Sequence, residues 1–599
     1  MTTYRAPLDD VRFVLHDVLD AGRLAGLAGL QDATPDVVDA VLDQAARLAE
    51  TVLFPLNQTG DAEGCTYDNG VVRTPAGFPQ AYATYIAGGW TSVTADPCYG
   101  GQGLPALLNF VVDEFMTSAN MALAMVPGLS HGAYHAIAAH GDDALKATYL
   151  PKLADGTWTG TMCLTEPQCG SDLGLIRSKA VPAGDGSFRI SGTKIFITAG
   201  EHDLAETIVH LVLARLPDAP PGTRGVSMFL VPKHLPVDDG GATRPGARNG
   251  VVCTGIETKM GIHGSPTCTL VFDEATGWLV GAPHKGMRAM FTMMNDARLA
   301  VGIQGLGVGE LAYQNALAYA RERRQGRVPG GRADDGVAAD PIIDHADIRR
   351  MLMTMKAQLE GGRALAYWTA LHVDLASRHP DPARRRAADD LVALMTPVVK
   401  AHLTDLGQDI ADLAIQVHGG YGYIRETGIE QLLRDARIAR IYEGTNGIQA
   451  LDLVGRKLGE GAGRLLRQVF HPIDAFLADH RDDPVAAPLT GPLAKAFGRL
   501  QLATGLIART ALKDPSEATA AAHDYLKLLG LVTVGWLWAR MALAARAKAG
   551  GPGADARFLD AKVKTATFYM QHILPQAAAH AAAIAAGAGS VMALDADAF

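Results

Sequence analysis

The chain has 599 residues, 48% of them apolar and 20% charged, which is enough apolar sequence to fill several cores. Its net charge of −9 excludes a nucleic-acid protein held by bulk electrostatics. Six scattered cysteines, with no CxxC pair and no nearby histidine pair, read as reduced cytosolic thiols and not as a metal site or disulfide framework, so a cytoplasmic protein is expected.

The first residues, MTTYRAPLDDVRFVLHDVLD, do not read as a signal peptide, because Asp9, Asp10 and Arg12 interrupt any apolar core. Residues 1–160 read as a helical domain. TPDVVDAVLDQAARLAETVLF opens on Thr34-Pro35 and spaces its apolar residues three and four apart. Over 161–287 the texture becomes strand-like. SFRISGTKIFITAG, ETIVHLVLARL and GVSMFLVPKH are short, β-branched or alternating, and bounded by Gly, Pro and Asp. Long helical patterns return over 288–455, interrupted by a Gly-, Pro- and Asp-rich surface excursion at 326–341. Residues 456–599 read as an additional Ala-rich helical domain. The order is α+β and not alternating β/α.

Two segments tempt other readings. GIQGLGVG (302–309) lacks the strand and spacing of a dinucleotide fingerprint, and small residues for close helix packing explain it better. The most apolar run, near 526–545, has only twelve uncharged residues between Lys527 and Arg540. A span needs about twenty, so a buried helix and no membrane span are expected.

Three stretches carry candidate chemistry. In MCLTEPQCGSDLG (162–174), Thr165, Ser171 and turn amides suit the polar edge of a flat heterocycle, although Pro167, Gly170 and Asp172 also make an ordinary turn. In KIFITAG (194–200), Phe196 and Thr198 alternate along a strand, so an aromatic ring and a hydroxyl share one side. In QVHGGYGYIRETGIEQLLRDARIARIYEGTNGIQ (416–449), glycines let the backbone approach a ligand. Arg434, Asp435, Arg437 and Arg440 then form a charged segment read as self-pairing, and Glu443 follows on a turn.

LTEPQCGSD, KIFIT, NDARL, ARERRQ, QVHGGYGY and RDARIARIYEGTNGIQ follow one another in the order and spacing of acyl-CoA dehydrogenases, and the chain resembles that family over roughly 80–460. The resemblance implies an N-terminal helical domain, a β-barrel-like middle domain and a C-terminal four-helix bundle, with FAD as cofactor and an acyl-CoA thioester as substrate. By position, Met162, Leu164, Thr165 and Ser171 match the flavin-contacting loop, with Ser171 also beside the CoA chain. Phe196, Ile197 and Thr198 match the strand against the flavin, with Thr198 near N5. Arg323 matches an arginine that reaches FAD phosphate in a neighbouring subunit. Gln416, Gly419 and Gly420 match the loop around that neighbour's adenine half. Thr445, Asn446 and Gly447 match the stretch after the base, and Arg298 and Gly444 match substrate-side positions.

The resemblance assigns Glu443 the α-proton and flavin N5 the β-hydride, with the thioester carbonyl polarised by the Gly444-side amide and an FAD ribose hydroxyl. Desolvation would raise the pKa of such a carboxylate. The alternative base position of some branches is Ala297 here, beside Asp296. Where the family has Phe after its ERxQ motif, Gly326 follows Gln325, and Ala346 replaces a common glutamine. The two ends, 4–19 and 568–599, resemble the long bacterial subfamily containing 3-(methylthio)propanoyl-CoA dehydrogenases, which points to a short, thioether-bearing acyl chain. The same long architecture also serves other fatty acyl-CoAs. An electron-transfer flavoprotein as acceptor and a homodimer are the family expectations.

Two other readings remain open at the level of sequence. An acyl-CoA oxidase would share the fold and Glu443. A DNA-binding relative of the alkylation-response type would need a basic C-terminal face. Residues 456–599 hold 16 Lys/Arg against 12 Asp/Glu, an excess of four and weak footing for phosphate binding.

Overall fold

The computed structural model describes residues 2–329 and 338–599, so residues 330–337 of the 326–341 insertion lie outside the described residues. The chain opens with α1 (Leu8–Arg12), α2 (Pro35–Leu48), α3 (Asn57–Glu63), β1 (Thr66–Asp68), β2 (Val71–Arg73), α4 (Phe78–Ala87), α5 (Ala106–His140) and α6 (Asp143–Ala154). Helix α2 starts where Thr34-Pro35 predicts, with Thr34 Oγ1 accepting from the Val37 N–H at 3.4 Å. The β1–β2 hairpin corrects the all-helical reading of this segment. It turns on Asn69-Gly70, both left-handed (φ 47° and 86°), a two-residue hairpin signal that the surrounding helical periodicity obscured.

The strands follow as β3 (Trp158–Cys163), β4 (Lys179–Pro182), β5 (Phe188–Thr198), β6 (Thr207–Arg215), β7 (Val226–Pro232), β8 (His234–Asp239), β9 (Ala242–Arg248), β10 (Val251–Ile256) and β11 (Thr267–Val280). Helices resume with α7 (Gly286–Glu322), α8 (Ala346–Arg378), α9 (Pro382–His418), α10 (Gly420–Tyr423), α11 (Ile429–Arg437) and α12 (Asn446–Asp452). They end with α13 (Arg464–Asp479), α14 (Ala487–Thr510), α15 (Pro515–Lys548), α16 (Ala556–Phe568) and α17 (Ala577–Ala586). The chain forms two compact units. One comprises residues 1–43, 106–114 and 301–599, and the other 44–105 and 115–300.

In the second of these, β5, β4, β6, β7 and β11 pair in a closed circuit, with β3 added parallel to β6 and β10 antiparallel to β11. This is the barrel-like sheet expected. Strand β6 is mostly apolar because both its faces are buried, with Thr207 and His210 among its buried residues. Val209, Leu211 and Leu213 pack with Ile137 and Leu150, and Val212 and Ala214 with Phe229 and Phe272 inside the ring.

The other unit is helical. Gly302 and Gly305 let α7 lie against α9. A Cβ at Gly302 would stand 2.8 Å from Val399, and one at Gly305 2.3 Å from the Leu403 carbonyl, so the glycine-rich stretch is a packing device. Helix α15 is apolar and long enough for a membrane span, yet 83% of that apolar window is buried in the protein. Trp538 donates its indole N–H to the Ala357 carbonyl at 2.9 Å, and Tyr569 its hydroxyl to the Leu531 carbonyl at 2.9 Å. The unit also buries an ionic cluster. Arg363 bonds Glu114 at 2.7 and 2.9 Å and also Asp10 and Glu310, while Lys562 bonds Asp10 and, at 2.8 Å, Glu360. Burial would push Asp10 up, but Lys562 and Arg363 outweigh it and hold the carboxyl at about 2.

Candidate active site

The sequence-predicted residues of the β-unit gather at the end of β3, the loop after it and the last turn of β5. Half-buried Met162 lies on β3, buried Leu164 begins the loop, and Ser171 is exposed. The loop is closed by two backbone bonds between Glu166 and Cys169 (2.9 and 3.0 Å) and is joined to β5 by Ile195 N–H donating to the Thr165 carbonyl at 2.9 Å. Behind it lies a pair the sequence reading did not assign. Lys194, 0% exposed, donates to Glu166 at 2.8 Å and to the Leu164 carbonyl at 3.0 Å. Glu166 also accepts from Arg177 N, Ser178 N and Ser178 Oγ at 2.6–3.0 Å. Burial raises the Glu166 carboxyl, but Lys194 and these donors prevail and hold it at about 2. Both residues sat in motifs already singled out, and the signal missed was the charge complementarity between Glu166 in the loop and Lys194 on β5.

Strand β5 does not alternate simply. Its register against β11 shifts between Lys194 and Ile197, so Ile195 and Phe196 form a bulge and Phe196 takes a left-handed φ of 59°. Ile197 is buried, Thr198 half-buried, and the Phe196 ring is 59% exposed. An aromatic ring held out on a strained backbone is the feature expected where a flat ligand covers it. Elsewhere in this unit Arg298, on α7 and 7% exposed, holds its guanidinium 5.9 Å from the Phe291 ring centre. Asp296 is bonded to His135 Nδ1 at 2.6 Å.

In the helical unit, Glu443 stands on the turn between α11 and α12, half-buried, with φ 56°, followed by Gly444 at φ 82°. Two successive left-handed residues, one not glycine, persist only where the surroundings over-determine them. Here Gln449 Nε2 donates to the Glu443 and Gly444 carbonyls at 3.1 and 3.2 Å. Lys400 Nζ, 0% exposed, donates to the Gly444 carbonyl and Asn446 Oδ1, each at 2.9 Å. Asn446 Nδ2 reaches Asp405 at 2.9 Å and Thr404 at 3.0 Å. Thr445 caps α12, its hydroxyl accepting from Ile448 N at 3.2 Å, and Gly447 is exposed in the first turn. Asn446 therefore turns its amide inward as an anchor for the turn. The preceding charged segment pairs outward and not only within itself, Arg434 with Glu430 and Arg440 with Asp405. Lys400 was missed because nothing in PVVKAHL marks a lysine that reaches a turn 44 residues on.

Arg323, Gln416, Gly419 and Gly420 come together in a cleft of about 470 Å³ at the C-terminal ends of α7 and α9. No carboxylate among the described residues lines it. A Cβ built on Gly419 or Gly420 meets nothing within 4 Å. The guanidinium of Arg323 stands 5.9 Å from the Tyr421 ring centre. The ends of the neighbouring insertion are pinned together by Gln325 N to Asp340 O (3.0 Å) and Asp340 N to Gly326 O (2.9 Å).

Four family models match the chain in order: acyl-CoA dehydrogenase N-terminal domain (37–157), middle domain (161–275) and C-terminal domain (284–458), then acetyl-CoA dehydrogenase C-terminal like (469–595). The 3-methylmercaptopropionyl-CoA dehydrogenase of Ruegeria pomeroyi is 44% identical over 96% of this chain and 97% of its own. A butyryl-CoA dehydrogenase of Syntrophomonas wolfei is 36% identical over 96% and 95%. Among solved structures, Caenorhabditis elegans ACDH-11 in complex with C11-CoA superposes with a TM-score of 0.77 at 19% identity, covering 95% of this chain and 91% of that one. The Bacillus anthracis acyl-CoA dehydrogenase complexed with FAD gives 0.74 at 22%, covering 94% and 90%.

The chain belongs to the acyl-CoA dehydrogenase family. It is an oxidoreductase of acyl-CoA thioesters, and its cofactor is FAD. The residues present fit that cofactor. Phe196 offers a ring face, Thr165 and Thr198 offer hydroxyls, and the Arg323 cleft pairs a cation with glycine backbone that a phosphate could approach.

Proposed function

We propose that this chain oxidises 3-(methylthio)propanoyl-CoA or another short acyl-CoA at its α,β bond, with Glu443 as the base. The observation that carries the assignment is the strained turn, whose backbone at Glu443 and Gly444 is fixed through Gln449 and Lys400, so that the point from which the Glu443 side chain departs is set. The Glu443 carboxylate removes the α-proton. The Gly444-side amide donates to the thioester oxygen as negative charge develops there, so the enolate's charge is met by a donor already in place. Arg298 and Ser171 hold the CoA-side polar groups. Phe196, Ile197 and Thr198 position the ring, and the 162–171 loop meets its polar edge. FAD, when bound, accepts the β-hydrogen with its two electrons.

The thioether substrate rests on the 44% identity to the Ruegeria enzyme of that name. An electron-transfer flavoprotein is the acceptor in this reading, and the protein is a cytoplasmic homodimer whose partner subunit's FAD meets Arg323. All six cysteines being free agrees with a reducing compartment. The segments 1–160, 161–287, 288–455 and 456–599 are taken as its domains. Anaerobic bleaching of the flavin across a series of acyl-CoAs tests the reading. Fastest bleaching by 3-(methylthio)propanoyl-CoA or an acyl chain of similar length is expected, and bleaching only by long chains contradicts the substrate. Rapid peroxide formation in air without an acceptor protein would make it an oxidase.

A further inference from the structure

The helical unit holds another cavity, of about 490 Å³, that shares no residue with the Arg323 cleft. It lies where the helical turn Ala21–Gly26 meets α8, α9, α13 and α15. Its walls are largely apolar, with Leu27, Trp368, Leu391 and Trp536 among them. Trp536 is 5% exposed, and its indole Nε1 has no hydrogen-bond partner among the described residues. Two residues on, Trp538 satisfies the same group on a carbonyl, so the helix does not force the omission. That nitrogen is itself covered, so Trp536 meets the cavity through its other atoms.

The charge around the cavity is one-sided. Arg23, Arg384, His372 and His379 line it, and no carboxylate among the described residues does. Arg23 is exposed, and its guanidinium has no side-chain hydrogen bond or ion pair among the described residues. Arg540 adjoins the cavity, its guanidinium 5.0 Å from the Trp536 ring centre, and burial and Arg23 together lower its pKa. Burial, with Arg23 and Arg540 adding to it, brings His372 down to about 4, so it is neutral at pH 7. Its Nδ1 must then donate to the Trp368 carbonyl at 2.8 Å. Arg384 is paired with Asp381 at 4.0 Å, but Arg23 stands without a counter-charge among the described residues, beside an apolar pocket of ligand size.

We propose that this cavity is a binding site for an apolar monocarboxylate, a free acid whose carboxylate is taken by Arg23 and whose chain lies against Trp368, Leu27 and Leu391. Octanoate titrated calorimetrically into the FAD-loaded full-length protein tests it, in the presence of saturating acyl-CoA so that the substrate's own pocket is filled. One site with a dissociation constant below about 1 mM is expected. Arg23→Gln, at an exposed position that folding does not need, should weaken binding at least about tenfold, as loss of a charge-assisted bond does. Octanol, without the carboxylate, and inorganic phosphate, without the chain, should bind far more weakly. Absence of octanoate binding up to about 10 mM, unchanged affinity in Arg23→Gln, or phosphate binding as well as octanoate would each overturn the proposal.

Discussion

The bulge at Phe196 and the turn at Glu443, the two places proposed to carry the chemistry, are held in different ways. Each places a residue other than glycine in the left-handed region, Phe196 on the bulge of β5 and Glu443 before α12. Each has a fully buried lysine behind it. Lys194 is tied to a carboxylate, Glu166, and through it to the 162–171 loop. Lys400 grips a backbone carbonyl and an amide oxygen. The first arrangement fixes a surface by an ion pair that also holds its unit together. The second fixes one backbone dipole, and its loss should be felt in chemistry before it is felt in folding.

Lys194→Met should separate the two most sharply. It leaves Glu166 buried without its cation, a change of about 3–5 kcal/mol for a broken buried pair. Denaturant unfolding and FAD content should both fall, and normal stability with full FAD would show that the pair is dispensable. Lys400→Met removes one donor from Gly444 and one from Asn446, about 1–3 kcal/mol. Flavin content should stay near normal while the rate of flavin reduction drops about 10–100-fold. Loss of FAD instead would erase the contrast. Arg323→Ala is the control outside both turns. It should weaken FAD retention by about 1.5–3 kcal/mol, read from flavin release on dilution, with the rate of reduction unchanged in protein kept saturated.

Acid gives the smallest effect near neutrality. Glu166 has its carboxyl depressed to about 2 from an ordinary 4.5. A depressed carboxylate contributes stability that is fully present above the unfolded value and lost as pH falls through the folded one. The β-unit should therefore hold its stability down to about pH 4.5 and lose it progressively from there to about pH 2. A melting temperature already falling between pH 7 and 5 would locate the sensitive group elsewhere.

Much of this was legible in the sequence. The order of helices, strands and helices, the glycine-rich packing of α7 and the burial of α15 follow from periodicity, composition and length. Glu443, the 162–171 loop and the Arg323–Gln416–Gly419 grouping stood in quotable motifs. What was not legible joins distant points of the chain. Lys400 reaches Gly444 across 44 residues, and Arg363 with Lys562 ties Asp10 to positions up to 552 residues away. The bulge at Phe196 depends on register against β11, which strand alternation alone cannot report. Asp296 could be proposed from proximity to Ala297, but only the fold shows it bonded to His135. Trp536 and Trp538 look alike in GWLWAR, and only packing distinguishes the satisfied indole from the unsatisfied one.

In the proposed reaction Glu443, held by its turn, takes the α-proton. The most direct measurement is exchange of the α-hydrogens of a redox-inert acyl-CoA analogue into deuterated water by the FAD-loaded protein, which isolates proton removal from electron transfer. The wild-type protein should exchange readily. Glu443→Gln, with its FAD retained, should be slower by about 10³-fold, within the range for losing a positioned base. Exchange by Glu443→Gln at a rate near that of the wild type would contradict the assignment and place the base elsewhere.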